Sequence, residues 1–357
     1  MKTEMSSVRV AARALDVGYC NVKYTLGRKV AMDKSSIATG MFPALSPRVT
    51  KQHGLGGMSS ADGCLVEVNG ITHFVGAGAV YCSSGSEPRH VLANYSSTDK
   101  YLAQMRGGMY YMLLDQGAPD ELVIEQLVVG LPLNTFRSFR QPLIDRTAAE
   151  HLVTNPSTGG THRIIVERAH VMVQPQGALL NYHVNDAQRA RDGWCLVIDP
   201  GGGTLDWYVS QGKVPNWERS GAYGKAMLAC AYAVADKIQE NWRDQFEIID
   251  RIDTAIRQNL PSFRVGGYEY ELEGFRAAIE GVLEDSIDHL VTGVRGFDNF
   301  DHILFTGGGA RVYYDFLSKR MPKLRPVMRL DEDPIFANVR GFQIGAELLL
   351  AGNTTKA

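Results

Sequence analysis

The segment Ile198–Trp207 reads IDPGGGTLDW and sets three glycines between two aspartates at the end of an apolar run. Successive glycine N–H groups can wrap an anion, usually phosphate, because no Cβ stands in the way. A carboxylate beside a polyphosphate needs an intervening cation, and oxygen ligands suit Mg²⁺. The segment therefore predicts a phosphate cradle in which Thr204 adds a hydroxyl donor and Asp199 serves as an inner or outer ligand of the metal.

A second segment has the same sequence pattern of apolar strand, Asp-x-Gly turn and second strand; it begins at residue 14 and reads ALDVGYCNVKYTLG. Asp16 supplies its carboxylate, and Lys23 would offset phosphate charge. Such carboxylates can orient a water for attack on a terminal phosphorus, where catalysis is mostly positioning and electrostatics. A third glycine run, Gly307–Gly309, follows the apolar DHILFT and is placed to contact a base and sugar. Each hairpin alone is weak evidence, because glycine hairpins are often only turns; the argument rests on their conjunction.

Hydrophobic periodicity predicts the elements that must position these turns. Strands are predicted at residues 8–17, 22–26, 122–131, 195–198, 205–209 and 301–306, and one or two more within residues 163–173. Asn69-Gly70 between two short apolar runs predicts a further hairpin. Helices are predicted at residues 101–115, 176–190, 222–242, 244–260, 274–290, 312–317 and 335–350, and the methionines of the first are interpreted as core filler. Residues 51–63 lack periodicity and predict an exposed, mobile loop.

Length and composition limit the class of protein. The 357 residues predict two domains, and the net charge of -2 gives no overall case for direct binding to nucleic acid or an anionic membrane. None of the five cysteines forms a CxxC pair, which argues against zinc and thioredoxin-like chemistry, and the odd number argues against a disulfide framework. The N-terminus lacks the apolar core of a signal peptide, and no apolar stretch approaches the ~20 residues of a membrane span. A cytoplasmic protein is expected.

The motifs resemble those of a known superfamily. Asp199–Asp206 matches the second phosphate signature, DxGGGTxD, of the actin-like ATPases, which include actins, the seventy-kilodalton heat-shock chaperones and the ParM/StbA plasmid-segregation proteins. Asp16–Lys23 resembles the first phosphate signature in its ParM form, DxGxxNxK. Residues 306–310 are similar to the adenosine motif, and residues 174–178 and 337–342 to the two connecting helices. Leu205-Asp206-Trp207 and the stretch from Asn94 to Tyr101 also resemble ParM/StbA proteins, especially the branch called PRTRC system protein D.

The resemblance implies an α/β, actin-like fold: two RNase H-like domains around an interdomain nucleotide cleft, with residues 1–189 plus 336–357 as domain I and 190–335 as domain II. It implies that Asp16 and Asp199 arrange Mg²⁺ through water and act in catalysis. Gln174 would position the attacking water; Gln176 competes for this role, and a glutamine that caps the following helix is the alternative. The residues implied to bind ATP or ADP are Gly18, Asn21, Lys23, Gly201, Gly202, Gly203, Thr204, Gly307, Gly308 and Gly309.

The function expected from the resemblance is slow, Mg²⁺-dependent ATP hydrolysis coupled to head-to-tail self-association into filaments for plasmid segregation, with DNA reached through an adaptor protein. A non-polymerising ATPase scaffold and a small-metabolite kinase remain alternatives, although no signature of a kinase catalytic base is found. A chaperone role is disfavoured because little chain follows the second connecting helix. A membrane anchor is disfavoured because neither terminus has an amphipathic apolar face. Pro200, Tyr19 and Cys20 depart from the residue types usual at their positions.

Overall fold

The computed structural model describes residues 5–30, 36–49, 61–83, 91–185 and 193–354. Residues 51–60 of the predicted loop and residues 186–190 of the predicted helix at 176–190 lie outside this part of the chain. The described residues form two large β-sheets with helices packed on them. No helix among them is long and apolar enough to cross a membrane.

The first sheet is formed by the N-terminal half of the chain. Its strands are β1 (Ser7–Val17), β2 (Asn21–Arg28), β3 (Ile37–Pro43), β4 (Cys64–Val68), β5 (Ile71–Val75), β6 (Glu121–Leu131), β7 (Glu150–Thr154) and β8 (Thr161–Val173). They lie in the order β3-β2-β1-β6-β8-β7-β4-β5. β1 runs antiparallel to β2 and parallel to β6, which is parallel to β8. The predicted hairpin at Asn69-Gly70 is confirmed, with both residues at the positive φ values that a tight hairpin turn requires.

The second sheet repeats this arrangement. The remaining strands are β9 (Trp194–Pro200), β10 (Leu205–Gln211), β11 (Val214–Pro215), β12 (Gly221–Tyr223), β13 (Ser262–Val265), β14 (Tyr268–Glu271), β15 (His302–Phe305) and β16 (Met328–Leu330). The sheet order is β11-β10-β9-β15-β16, with β12 on β10, while β13 and β14 form a separate hairpin. β9 is antiparallel to β10 and parallel to β15, which is parallel to β16. The order and directions of β10-β9-β15-β16 therefore match those of β2-β1-β6-β8. The repeated sequence pattern of strand, Asp-x-Gly turn and strand corresponds to a repeated fold.

Nine α-helices lie within the described residues. They are α1 (Ala79–Cys82), α2 (Asp99–Asp115), α3 (Leu133–Thr147), α4 (Gln174–Asn185), α5 (Met227–Ile238), α6 (Phe246–Arg257), α7 (Arg276–Val294), α8 (Ala310–Arg320) and α9 (Ala337–Thr354). The predicted helix at 222–242 is wrong at both ends. Gly221–Tyr223 pairs with β10 instead, and the chain is extended at Gln239, so pairing with the sheet overrides the alanine-rich helical pattern. Helix α3 was not predicted.

Separate apolar cores stabilise the two sheets. In the first, α2 packs against β1, β2 and β4, and its methionines Met105, Met109 and Met112 are fully buried, which confirms them as core residues. In the second, α5 to α8 pack against β9, β10 and β15. Between the cores, α4 crosses α9 so closely that a Cβ on Gly341 would lie 1.8 Å from the Gly177 carbonyl oxygen. Glycine is therefore required at this crossing, from which Gln174 and Asn338 reach the space between the sheets.

Candidate functional site

The two predicted phosphate hairpins have the same geometry. In the first, Val17 pairs with Val22 and the four-residue loop Gly18–Asn21 is closed by a bond of 3.0 Å from the Gly18 N–H to the Asn21 carbonyl. In the second, Pro200 pairs with Leu205, and the Gly201 N–H donates to the Thr204 carbonyl at 2.8 Å. Each aspartate stands two residues before its loop. The chain therefore presents two equivalent turns, one from each sheet.

The tips of these two loops meet. A Cβ on Gly202 would lie 2.2 Å from the Cys20 sulfur, and a Cβ on Gly203 would lie 2.7 Å from the Tyr19 ring. Small residues in the second loop are thus needed to accommodate the large side chains of the first. Tyr19 and Cys20, whose types are unusual at these positions, fill the space where the two loops approach each other. They narrow the cleft but leave the backbone N–H donors of the loops in place.

Both loops line one cavity of about 240 Å³ between the sheets. Of the residues predicted to form the site, the lining includes Asp16, Gly18, Asn21, Lys23, Gln174, Asp199, Gly201, Gly202, Gly203, Thr204, Gly307 and Gly308. Gly309 is outside the lining, and its missing Cβ makes room for Met227 and Pro200. Gln176 is also outside it, so the structure brings Gln174 rather than Gln176 to the cavity.

Asp16 is fully buried, and protein donors engage both of its oxygens. Lys23 donates to one oxygen at 2.8 Å and the Gln174 amide to the other at 2.6 Å. Burial alone would lower the pKa of Lys23, but the charge and hydrogen bond of Asp16, together with the charge of Asp199, raise it above its usual value. Lys23 therefore stays charged beside the first loop.

Asp199 occupies the equivalent place in the second hairpin. The Asn338 amide donates to its carboxylate at 2.6 Å, and burial raises the pKa of Asp199 to about 7, with the nearby Asp206 and Asp16 adding to the rise. Gly307 lies directly against it: its φ is +82°, and a Cβ there would lie 2.1 Å from an Asp199 oxygen. The glycine after β15 is thus required both by its backbone conformation and by the carboxylate.

Asp206 ends the sequence signature DxGGGTxD but was not predicted as a site residue. It pairs across the hairpin with Asp199, lies 2 % exposed in the cavity lining, and accepts bonds from the Thr204 hydroxyl at 2.6 Å and the Leu133 N–H at 2.8 Å. Leu133 begins α3, so the carboxylate faces the positive end of a helix dipole. Burial raises the pKa of Asp206 to about 6. This contact joins the second sheet to the first.

Other lining residues come from parts of the chain that carry no nucleotide signature. They are contributed by the segment before α2, by α2 itself, by α3 and by α6, and they include Leu92, Tyr95, Tyr101, Thr135, Asp250, Asp253, Thr254 and Arg257. Tyr95 and Tyr101 lie in the stretch that resembles ParM/StbA proteins, but that stretch carries no nucleotide signature, and the packing of the helices against the cleft brings all of these residues to the cavity.

The carboxylates do not form a complete metal cage. Within the described ranges, no group of three or more His, Cys, Asp or Glu side chains is arranged to hold a metal ion. Asp16 is already engaged by Lys23 and Gln174. Mg²⁺ commonly binds through one or two carboxylates, several waters and substrate phosphates. The two aspartates fit that kind of site, in which phosphate oxygens and water complete the coordination.

Comparison with known proteins agrees with this architecture. The family described as actin-like proteins, N-terminal domain, matches residues 14–177. No curated protein sequence matches the chain. Among similar solved structures, apo pSK41 ParM is 18 % identical, and the match covers 98 % of this chain and 99 % of that one with a TM-score of 0.66. The archaeal actin homologue Ta0583 in complex with ADP is 20 % identical, with coverages of 96 % and 100 % and a TM-score of 0.67. The 15-stranded ParM filament from Clostridium botulinum is 18 % identical, with coverages of 95 % and 100 % and a TM-score of 0.70.

At these identities, the solved structures establish the fold, while the domain match covers the first phosphate hairpin and extends to the start of α4. The repeated sheet order and the cleft between the sheets are those of two RNase H-like domains. Residues 14–177 match the N-terminal domain of actin-like proteins, and the chain as a whole has the two-domain actin-like fold.

Proposed function

We propose that this protein binds ATP with Mg²⁺ in the cavity between the two sheets and hydrolyses it slowly. The observation that carries the proposal is the convergence of two equivalent glycine hairpins, two buried aspartates and the Gly307–Gly308 turn on one cavity. The loop N–H groups and Lys23 would hold the phosphates, and Gly307 and Gly308 would contact the nucleoside. An added Cβ on Gly308 meets no atom within 4 Å, so its backbone is open to a ligand.

Gln174 is proposed to position the attacking water. Its amide nitrogen is fixed on Asp16 at 2.6 Å, and among the described residues no donor occupies its amide oxygen. That oxygen can accept a hydrogen bond from a water, and a glutamine orients water without being a strong base, which fits slow hydrolysis. Mg²⁺, when bound, neutralises phosphate charge. Asp199, whose pKa burial raises to about 7, would take its charged form beside such a cation.

We also propose that residues 1–189 plus 336–357 form one domain and residues 190–335 the other, as predicted from the sequence. Helix α9 packs on β1 and β6 of the first sheet and crosses α4, the helix that leads into the second. Nucleotide binding would draw the two loops together by rotation about this crossing. Through such closure, the bound nucleotide would control whether the protein associates with further copies of itself.

We further propose that the ATP-bound protein associates head to tail into filaments of the ParM type, and that these act in plasmid segregation in the cytoplasm. Head-to-tail contacts that do not close into a ring generate open filaments. The support is structural: the chain matches a ParM filament subunit along 95 % of its length. The net charge of -2 favours contact with DNA through an adaptor protein.

Sedimentation with ATP, with ADP and without nucleotide tests assembly. We expect a pellet that requires ATP and Mg²⁺; a monomer that persists at high concentration with bound ATP would refute the filament. Phosphate release tests the site. Asp199→Ala should abolish turnover, whereas Asp298→Ala, at an exposed aspartate, should keep it. Wild-type turnover in Asp199→Ala would refute the assignment of the cavity.

A further inference from the structure

The Tyr101 hydroxyl is a buried polar group without a protein partner. Tyr101 is 1 % exposed and lines the cavity, and no described residue hydrogen-bonds to its hydroxyl. Burying a hydroxyl without a hydrogen bond is unfavourable, typically by about 1–3 kcal/mol in proteins. A buried hydroxyl that has no protein hydrogen-bond partner and lies beside a cavity indicates that a ligand in the cavity supplies the partner.

The surrounding aromatic residues hold the Tyr101 ring in place. Tyr101 lies in the first turn of α2, where its N–H donates to the Thr98 side chain. Tyr95 packs edge-on against it at 5.5 Å and stacks on Tyr19 of the first phosphate loop at 4.9 Å. The other two hydroxyls have protein acceptors: Tyr19 donates to the Leu92 carbonyl, and Tyr95 donates to the Gln104 side chain. Of these three tyrosines, Tyr101 is the one whose hydroxyl has no hydrogen-bond partner among the described residues and can bond to a ligand.

Two features indicate where on the ligand the hydroxyl would act. Burial raises the pKa of Tyr101, and the negative charge of Asp16 raises it further, so the phenol stays protonated and can donate at neutral pH. Asp16 is also the residue to which Gln174 is bonded. Through Tyr95, the Tyr101 ring also packs next to Tyr19 of the first phosphate loop, so the phenol lies on the side of the cavity proposed to hold the phosphates.

We propose that the Tyr101 hydroxyl donates a hydrogen bond to the terminal phosphate of the bound nucleoside triphosphate, and so helps the protein to distinguish ATP from ADP. This inference rests on the proposed function. Hydrogen bonds to charged oxygens are shorter and stronger than neutral ones. Because α2 and the Tyr19–Tyr95 stack fix the ring, the donor is positioned before the nucleotide arrives.

Tyr101→Phe tests the proposal, because it removes the hydroxyl and keeps the ring. Dissociation constants for Mg²⁺ complexes of ADP and of a non-hydrolysable ATP analogue are measured by calorimetry, and thermal unfolding is followed without nucleotide. We expect affinity for the ATP analogue to fall about 10- to 100-fold, as for loss of one bond to a charged group. Affinity for ADP should change less than about twofold by the same reasoning, and the melting temperature should stay equal or rise.

Tyr110→Phe is the matched control, because Tyr110 is buried on the same helix and lies outside the cavity lining. It should leave both affinities unchanged. Equal weakening of the ATP analogue and ADP by Tyr101→Phe, or no change in either, would overturn the assignment of Tyr101 while nucleotide binding stands. Wild-type protein that binds neither nucleotide would instead overturn the proposed function, and the Tyr101 contact with it.

Discussion

Asp199→Asn should make the nucleotide-free protein less sensitive to pH. The wild-type carboxylate is 6 % exposed, accepts one amide hydrogen bond from Asn338, and has its pKa raised by burial to about 7. An asparagine has nearly the same shape and can still accept the Asn338 bond through its own oxygen, but it carries no charge. The substitution therefore isolates the cost of holding the charge in the cleft.

The direction of the effect follows from proton linkage. The pKa of Asp199 is higher in the folded protein, about 7, than its ordinary 3.8, so the folded state binds more protons than the unfolded state between those values. Wild-type stability should then fall as the pH rises from about 4 to about 7. At about 1.36 kcal/mol for each pKa unit, the part of this loss between pH 5 and pH 8 is about 3 kcal/mol.

Urea unfolding at several pH values from 5 to 8, with EDTA and without nucleotide, measures the effect. Relative to wild type, Asp199→Asn should gain about 3 kcal/mol in free energy of unfolding between pH 5 and pH 8. A smaller fall should remain in the variant, because burial also raises the pKa of Asp206, to about 6. The exposed Asp298→Asn is the control and should follow the wild-type curve. Parallel curves for Asp199→Asn and wild type would refute the claim that a charge at Asp199 opposes folding.

Glycine substitutions test the close approaches around the cleft. Gly307→Ala combines a φ of +82° with a Cβ 2.1 Å from an Asp199 oxygen, so it should lower stability by about 1–3 kcal/mol and greatly weaken nucleotide binding, as measured by thermal unfolding and calorimetry. Gly341→Ala would place a Cβ 1.8 Å from the Gly177 carbonyl oxygen and force α4 and α9 apart, so a loss of at least about 1–3 kcal/mol is expected. Gly281→Ala, in open space on α7, should instead be stabilising by about 0.5–1 kcal/mol, and similar effects for all three would contradict the packing argument.

The phosphate hairpins were predictable because turn chemistry is local. An Asp-x-Gly segment after an apolar run predicts a turn, and the aspartate two residues before that turn stays at the strand end regardless of the packing elsewhere in the chain. The repetition of that pattern near residues 16 and 199 predicted two related units, and the matching sheet orders confirm it. Helix α2 and its buried methionines were predictable from helical spacing.

Elements whose conformation depends on distant partners were not predictable in this way. Helix α3 has a proline inside it and only three buried side chains, so its sequence lacks a strong apolar period. β12 forms because Gly221–Tyr223 finds an unpaired edge of β10, although its flanking sequence favours helix. In both cases packing against a sheet that is assembled elsewhere outweighs local preference.

The sequence by itself determined the groups that the two hairpins present, namely the N–H groups of the glycine loops, the Lys23 cation and the carboxylates of Asp16 and Asp199, because each is fixed by its place in a short hairpin. Tertiary structure alone decided which other groups of the chain lie next to these hairpins. Asn338 reaches Asp199 across 139 positions of chain, Leu133 reaches Asp206 across 73, and the Tyr101 hydroxyl lines the same cavity from α2. Such contacts form when separately folded layers pack together, and no local pattern of residues encodes them.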